Sequence, residues 1–242
     1  MTGYESPAPA VPLAELAARI GDVVDAGAFP DDPPLVYVPS PRPVARLGFA
    51  LEPAPDLAAW VDAQHLDALF LHRPWGVEDA GLPPDIGTLA SHAAFDHRLT
   101  IGANPGLLFA LEMHDVRPLG GGADGAPGMV GSIGMAEPAA WIARFEAMFG
   151  GVEEVVQGDA APIRRIAAVG AMTDALVREA AALGADLYLT GQIRHPARPA
   201  LAETRMAAVA IGHRRIEEYG LRLLADALAS AFPGRLSTVF HP

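Results

Sequence analysis

The segment Leu66–Trp75 constrains this chain most, because it leads from a strand-like run directly into a histidine. The apolar residues Ala68–Leu71, with Leu66 before them, end in the turn His72-Arg73-Pro74, which predicts a short strand buried on both faces of a sheet. In open α/β sheets, ligands bind just beyond the carboxyl ends of the strands. His72 is therefore a candidate functional residue, although a histidine here can also simply end the strand and hydrogen-bond a loop carbonyl.

The composition narrows the chemistry that is available. The 242 residues are 51% hydrophobic and 19% charged, which indicates a folded chain long enough for a substantial core. Cysteine is absent, which excludes disulfides and thiolate ligands. All 17 basic residues are arginine, so Schiff-base chemistry and a phosphate-binding P-loop lysine are excluded as well. The net charge of −12 argues against long nucleic acid and against an anionic membrane surface as partners.

The sequence also predicts that the protein is cytoplasmic and does not cross a membrane. No apolar run approaches the roughly 20 residues of a membrane-spanning helix. The first residues, MTGYESPAPAVP, lack the basic and apolar regions of a signal peptide.

Alternating strand and helix patterns predict an α/β fold with two halves. Residues 57–64 fit a short helix, and the segment SHAAFDHRLTIG after the strand at 86–90 fits a loop. Residues 165–170 and 186–190 fit the strands of a βαβ unit whose helix is DALVREAAALG. The segment PLGGGADGAPG, residues 118–128, fits a linker.

Two histidine–carboxylate pairs share one spacing. His92 precedes Asp96 by four residues, and His213 precedes Glu217 by four, a spacing that puts both side chains on one face of a helix. Imidazole and carboxylate donors without thiolate suit Zn, Fe or Mn at a site that keeps open positions for water or substrate. The alternative is a surface pair that stabilises its helix by a few tenths of a kcal/mol.

Four motifs, in order and spacing, resemble the Nif-three-like family, whose members are often called GTP cyclohydrolase I type 2 homologues. His72-Arg73-Pro74 resembles the family's His-His-Pro, and His92-Ala93-Ala94-Phe95-Asp96 its His-Thr-Asn-x-Asp. Residues 184–192, GADLYLTGQ, resemble the family's gaD-x-y-x-TGD segment, and Gly212, His213 and Glu217 match its closing Gly-His-x-x-x-Glu. The resemblance covers nearly the whole chain.

The resemblance implies a fold, a metal site and an assembly. The implied metal ligands are His72, Asp96, His213 and Glu217. The implied fold is two intertwined α/β domains with mixed sheets flanked by helices, which we divide into residues 1–117 plus 205–242, carrying the metal site, and residues 118–204. The implied assembly is a ring-shaped homohexamer, a trimer of dimers, with the metal sites facing an inner cavity.

The chain departs from the family pattern at three places. Arg73 replaces the second histidine of the first motif, and a guanidinium cannot ligate a metal, so we expect one divalent ion rather than two. Gln192 replaces the acid of the TGD segment, and the family's early Asp-Asn-x-Gly has no counterpart around residues 31–38. His92 is expected to hydrogen-bond a ligand or to transfer a proton rather than to bind the ion itself.

Two functions remain open. The first is a metal-dependent hydrolase of a small anionic or nucleotide-like substrate, in which Asp96 and Glu217 hold the metal and one doubles as base, and Arg73 and His195 bind the substrate. The cationic segment around His195 is equally explained as solvated loop charge. The second function is non-catalytic: a ring-shaped scaffold or regulatory metal-binding protein with a degenerate site, which the change to Arg73 favours.

Overall fold

A computed structural model describes residues 10–121 and 126–242 of the protein. Its α-helices are α1 (Leu13–Val24), α2 (Leu57–Gln64), α3 (Ala93–Leu99), α4 (Pro105–Ala110), α5 (Pro138–Phe149), α6 (Asp174–Ala182), α7 (Arg198–Thr204) and α8 (His213–Ala231). Its strands are β1 (Val36–Val38), β2 (Arg46–Ala50), β3 (Ala68–Leu71), β4 (Gly87–Ala90), β5 (His114–Leu119), β6 (Gly128–Ala136), β7 (Glu154–Val156), β8 (Ile163–Val169), β9 (Leu187–Thr190), β10 (Ala207–Ala210) and β11 (Ser237–Phe240). Short 3₁₀ turns lie at Ala26–Ala28, Val77–Asp79 and His195–Ala197.

The chain forms two compact units, each built on one mixed sheet flanked by helices. The first unit combines the residues up to Phe95 with Leu221–Pro242, and the second comprises Asp96–Gly220. The sequence placed the boundaries at 117/118 and 204/205. They lie elsewhere in the structure because β5 and β10 both hydrogen-bond within the sheet of the second unit.

The first unit contains a five-stranded sheet in the order β1-β4-β3-β2-β11. The four strands from β4 to β11 are parallel, and β1 runs antiparallel at the edge. Helix α2 buries Leu57 and Val61 against Leu69 and its neighbours on one face of this sheet. Close contact there requires glycine at position 48, since a Cβ would lie 2.4 Å from a methyl carbon of Leu66. The predicted strand at residues 68–71 and the predicted helix at residues 57–64 are confirmed.

The second unit contains a six-stranded sheet in the order β5-β6-β8-β9-β10-β7. Its strands β8, β9 and β10 are parallel, and the remaining pairs are antiparallel. The predicted βαβ unit is confirmed as β8-α6-β9, and α6 and α7 bury apolar side chains against these strands. At the centre, burial raises the pKa of the Tyr188 phenol, whose O–H donates to the Ala171 carbonyl at 2.8 Å.

Two local predictions differ from the structure. The segment after β4, predicted as a loop, contains α3. The predicted linker at 118–128 connects β5 to β6, which pair antiparallel in one sheet, so the described part of this segment belongs to a single unit; its residues 122–125 lie outside the described residues. Among the described residues, no helix combines the length and the apolar character that a membrane crossing needs.

Candidate metal centre

His72 lies directly after β3, at the edge of the sheet where β3 and β4 both end. The pairing of Leu71 with Ala90 aligns these two carboxyl ends, which brings the residues that follow each strand side by side. The His72 ring is fully buried, and its Nδ1 lies 3.1 Å from the carbonyl oxygen of Ser91. Because a carbonyl only accepts hydrogen bonds, Nδ1 carries the proton, and Nε2 carries the lone pair in the neutral ring.

His92 and Asp96 come from the next strand end and the helix that follows it. The His92 ring stacks on the His72 ring, with centroids 4.8 Å apart and planes inclined by 20°. Asp96 follows one helical turn later on α3. His72, His92 and Asp96 each offer one ligand atom, and these atoms all lie within 4.8 Å of one another. The boundary between the two units falls inside α3, so the continuous helix itself holds Asp96 beside His92.

Asp32 fixes the start of α3, and the sequence gave no sign of this role. Its carboxylate accepts backbone hydrogen bonds from His92 (3.1 Å), Ala93 (2.7 Å) and Ala94 (3.1 Å). The Ser91 hydroxyl donates to the same carboxylate at 3.4 Å. A carboxylate at a helix start satisfies backbone N–H groups that lack helical partners and favours the positive end of the helix dipole. Asp32 therefore holds the turn that carries His92 and the Ser91 carbonyl bound to His72.

Arg73 forms an ion pair instead of taking a ligand position. Its Nε donates to a carboxylate oxygen of Glu52 at 3.0 Å, and its backbone N–H donates to the Leu51 carbonyl at 2.7 Å. The guanidinium stays protonated and has no acceptor atom, so it cannot bind a metal. Glu52 offsets part of the positive charge that the sequence assigned to substrate binding.

His213 and Glu217 are brought together in the first turns of α8. Nε2 of His213 lies 3.0 Å from a carboxylate oxygen of Glu217, as the four-residue spacing predicts. The Glu217 side chain is buried, whereas that of His213 is 70% exposed. Within residues 10–121 and 126–242, the pair belongs to no cluster of three or more potential metal ligands. Its role as a ligand pair stays a prediction.

The cationic segment near residue 195 is exposed and partly neutralised. His195 lies exposed in a 3₁₀ turn. Arg198 pairs with Glu154 at 2.6 Å, and Arg214 pairs with Glu218 at 2.8 Å. Such exposed pairs are typical of solvated surface charge. Substrate binding by His195 stays a prediction.

Comparison with known proteins places the chain in a family. The sequence model described as Duf34/NIF3 (NGG1p interacting factor 3) matches residues 81–242. A protein named GTP cyclohydrolase 1 type 2 homolog from Allochromatium vinosum is 25% identical over 90% of this chain and 91% of its own length. One of the same name from Pseudomonas aeruginosa is 30% identical over 61% of this chain and 59% of its own length.

Solved structures show the same fold. The crystal structure of TTHA1606 from Thermus thermophilus has a TM-score of 0.72 to 0.73 class similarity to this chain, at 0.73, with 20% identity over 96% of this chain and 99% of its own. The Bacillus cereus protein related to NIF3 gives a TM-score of 0.68, with 11% identity over 96% of this chain and 97% of its own. The two mixed sheets and the family match together define a mixed α/β protein of the Nif-three type. The chain belongs to the Duf34/NIF3 family.

Proposed function

We propose that His72, His92 and Asp96 bind one divalent metal ion and that the protein is a metal-dependent hydrolase of a small, nucleotide-like substrate. The convergence of two imidazoles and one carboxylate at the ends of adjacent strands carries this proposal. His72 supports it further, because histidine ligands usually donate their second ring N–H to a carbonyl or carboxylate, as Nδ1 does toward Ser91.

The donor set fits Zn, Fe or Mn. Imidazole nitrogen and carboxylate oxygen are ligands that these metals accept, and three protein ligands leave a position for water or substrate. A divalent ion bound there supplies a Lewis acid that lowers the pKa of coordinated water. The Asp96 carboxylate has two oxygens, so one can hold the ion while the other accepts a proton.

We extend the proposal to one ion rather than two and to a catalytic role for Glu217. Arg73 stands where the family motif has a second histidine, and its pairing with Glu52 keeps a fixed positive charge there. Glu217, buried beside exposed His213, has the placement of a carboxylate that orients an imidazole or takes up its proton.

The substrate class rests on the relatives' names. Proteins named GTP cyclohydrolase 1 type 2 homolog suggest a nucleotide-like substrate for this chain. The pairing of Arg73 with Glu52 favours a second candidate function, a metal-binding scaffold or regulator without turnover, because the guanidinium is already engaged.

Metal content per chain tests the metal centre. Protein purified without added metal or chelator should carry about one equivalent of Zn, Fe or Mn, and the His72→Ala variant should carry none. His114→Ala is the matched control, since His114 is exposed on β5 and should leave the content unchanged. No metal in the wild-type protein, even after soaking, would refute the proposal.

Turnover separates the two candidate functions. Metal-loaded protein is incubated with nucleotides, with and without a chelator, and products are followed chromatographically. Turnover that the chelator abolishes supports the hydrolase. Bound metal without turnover of any nucleotide supports the non-catalytic function.

The hexamer is proposed on the resemblance and is tested by light scattering. Six chains of 25.2 kDa have a mass of six times 25.2 kDa, or about 151 kDa. A dimer or monomer mass at micromolar concentration would refute the ring.

A further inference from the structure

Trp75 is a large apolar side chain left in solvent beside the proposed metal centre. It follows His72 by three residues and is 53% exposed. Its indole ring meets the His92 ring edge to face, with centroids 5.1 Å apart and planes inclined by 71°. His92 in turn stacks on His72, so the three rings form a continuous aromatic series that ends at the exposed indole.

The backbone holds this indole in place. Pro74 precedes it, and Gly76 follows it in the left-handed conformation, with φ of +85°. A turn closes over the same residues through the Val77 N–H, which donates to the Pro74 carbonyl at 3.1 Å. The exposed ring is thus ordered before any ligand arrives, which lowers the entropic cost of stacking on it.

The charges beside the ring favour an aromatic ligand over a phosphate. The nearest guanidinium in sequence, that of Arg73, is paired with Glu52 at 3.0 Å. The rim therefore offers a π-face whose neighbouring positive charge is already offset. Bases of every kind stack on such faces, because each base has a π-surface of its own.

We propose that Trp75 is a stacking site for the planar heteroaromatic ring of a small ligand, with the ring's heteroatoms directed toward the metal centre. The inference rests on the proposed function for the presence of a metal, and it assigns recognition to the ring of the substrate rather than to its phosphate. Trp75 binds the ligand but supplies no metal ligand, so its removal should leave metal binding intact.

Inosine is the probe, because it carries a purine ring and no phosphate, and ribose 5-phosphate is its counterpart with a phosphate and no ring. Equilibrium dialysis measures both dissociation constants on the full chain, with and without metal. Inosine should bind the wild-type protein, and Trp75→Ala should weaken it by roughly 5- to 150-fold. Trp75→Phe, which keeps a ring, should retain most of the affinity, and ribose 5-phosphate should bind the wild type and Trp75→Ala equally weakly.

Fluorescence provides a second readout of the same site. The chain has three tryptophans, and inosine should quench the emission of the wild type saturably. The quenching should persist in Trp60→Phe, since Trp60 packs against His241 and Gly48, and should be absent in Trp75→Phe.

The failures of the two proposals are distinguishable. Inosine that does not bind the wild type, or that binds Trp75→Ala with wild-type affinity, overturns the stacking site even if metal content is as proposed. Inosine binding that depends on Trp75 in a protein that takes up no metal supports the stacking site and refutes the metal centre. Trp75→Ala that loses metal as well as inosine overturns the assignment of Trp75 to the ligand alone.

Discussion

The two histidine–carboxylate pairs have the same spacing in sequence but different surroundings in the structure. His92 and Asp96 stand at the start of a seven-residue helix, beside the buried ring of His72 and under the carboxylate of Asp32. His213 and Glu217 stand at the start of a 19-residue helix and contact each other at 3.0 Å. Spacing alone thus predicts that two side chains share a face, and the neighbouring elements decide whether a third ligand joins them.

The largest expected effect comes from removing one histidine of each group. His72→Ala should weaken Zn²⁺ or Mn²⁺ binding by roughly 100-fold or more, since even the loss of an outer hydrogen-bond partner typically costs 10- to 100-fold. His213→Ala should leave the affinity within about threefold if the group of three acts alone. Isothermal titration of the demetallated variants measures both. Equal losses would join His213 to the ligand set that the family resemblance implies.

The Asp32 anchor should matter for metal binding as well as for stability. Asp32→Ala should lower metal affinity by about tenfold or more, because His92 and the carbonyl bound to His72 lose their fixed positions. Asp67→Ala is the matched control: Asp67 accepts backbone hydrogen bonds from Ala45 at 3.0 Å and Arg46 at 2.9 Å in the same unit.

Both variants should lose about 1–3 kcal/mol in free energy of unfolding, measured by urea titration, because each leaves backbone N–H groups without a charged acceptor. Only Asp32→Ala should change the metal affinity. Equal metal affinity in the two variants would reduce Asp32 to a purely structural residue.

Arg73→His tests why the site is expected to hold one ion. The substitution replaces a group that cannot ligate with one that can, beside the Glu52 carboxylate that Arg73 now engages. We expect metal content to rise from about one toward two equivalents after soaking, measured by mass spectrometry of the elements. Arg73→Gln, which removes the charge without adding an imidazole, should stay at one. Content unchanged in Arg73→His would mean that the chain lacks a second site for reasons beyond this residue.

The smallest expected effect concerns the pair on α8 without metal. Because the His213 side chain is 70% exposed, its contact with Glu217 should contribute only about 0.3–0.5 kcal/mol to the free energy of unfolding. Chemical denaturation of demetallated His213→Ala at neutral pH measures this contribution. A loss several times larger would give the pair a structural importance that its exposure does not predict.

Local signals explain which parts of the fold could be predicted. The strand at Ala68–Leu71 and the helix at Leu57–Gln64 follow from apolar runs and spacing within a few residues. The hydrophilic edge strand β5, with five of its six residues exposed, carries no such pattern and was not predicted. Helix α3 was predicted as a loop, since it is short and its start is held by a carboxylate about 60 residues earlier in the chain.

The candidate site divides in the same way. Its residue types and the four-residue spacings are visible in the sequence. The stacking of His92 on His72 and the pairing of Arg73 with Glu52 join residues about 20 positions apart, and they depend on which strands lie side by side. Strand order is a tertiary property, so these contacts could not be obtained from spacing.

The strand order of the first sheet also has a consequence for synthesis on the ribosome. Strand β2 lies between β3 and β11, and β11 is made only after residues 91–236 have followed β4, which is 146 residues later. At about 5–20 residues per second, that interval lasts about 7 to 30 seconds. Throughout it, the apolar strand Arg46–Ala50 has one open edge of hydrogen-bonding groups. The nascent chain therefore carries a sticky edge next to its first-made strands until translation is almost complete.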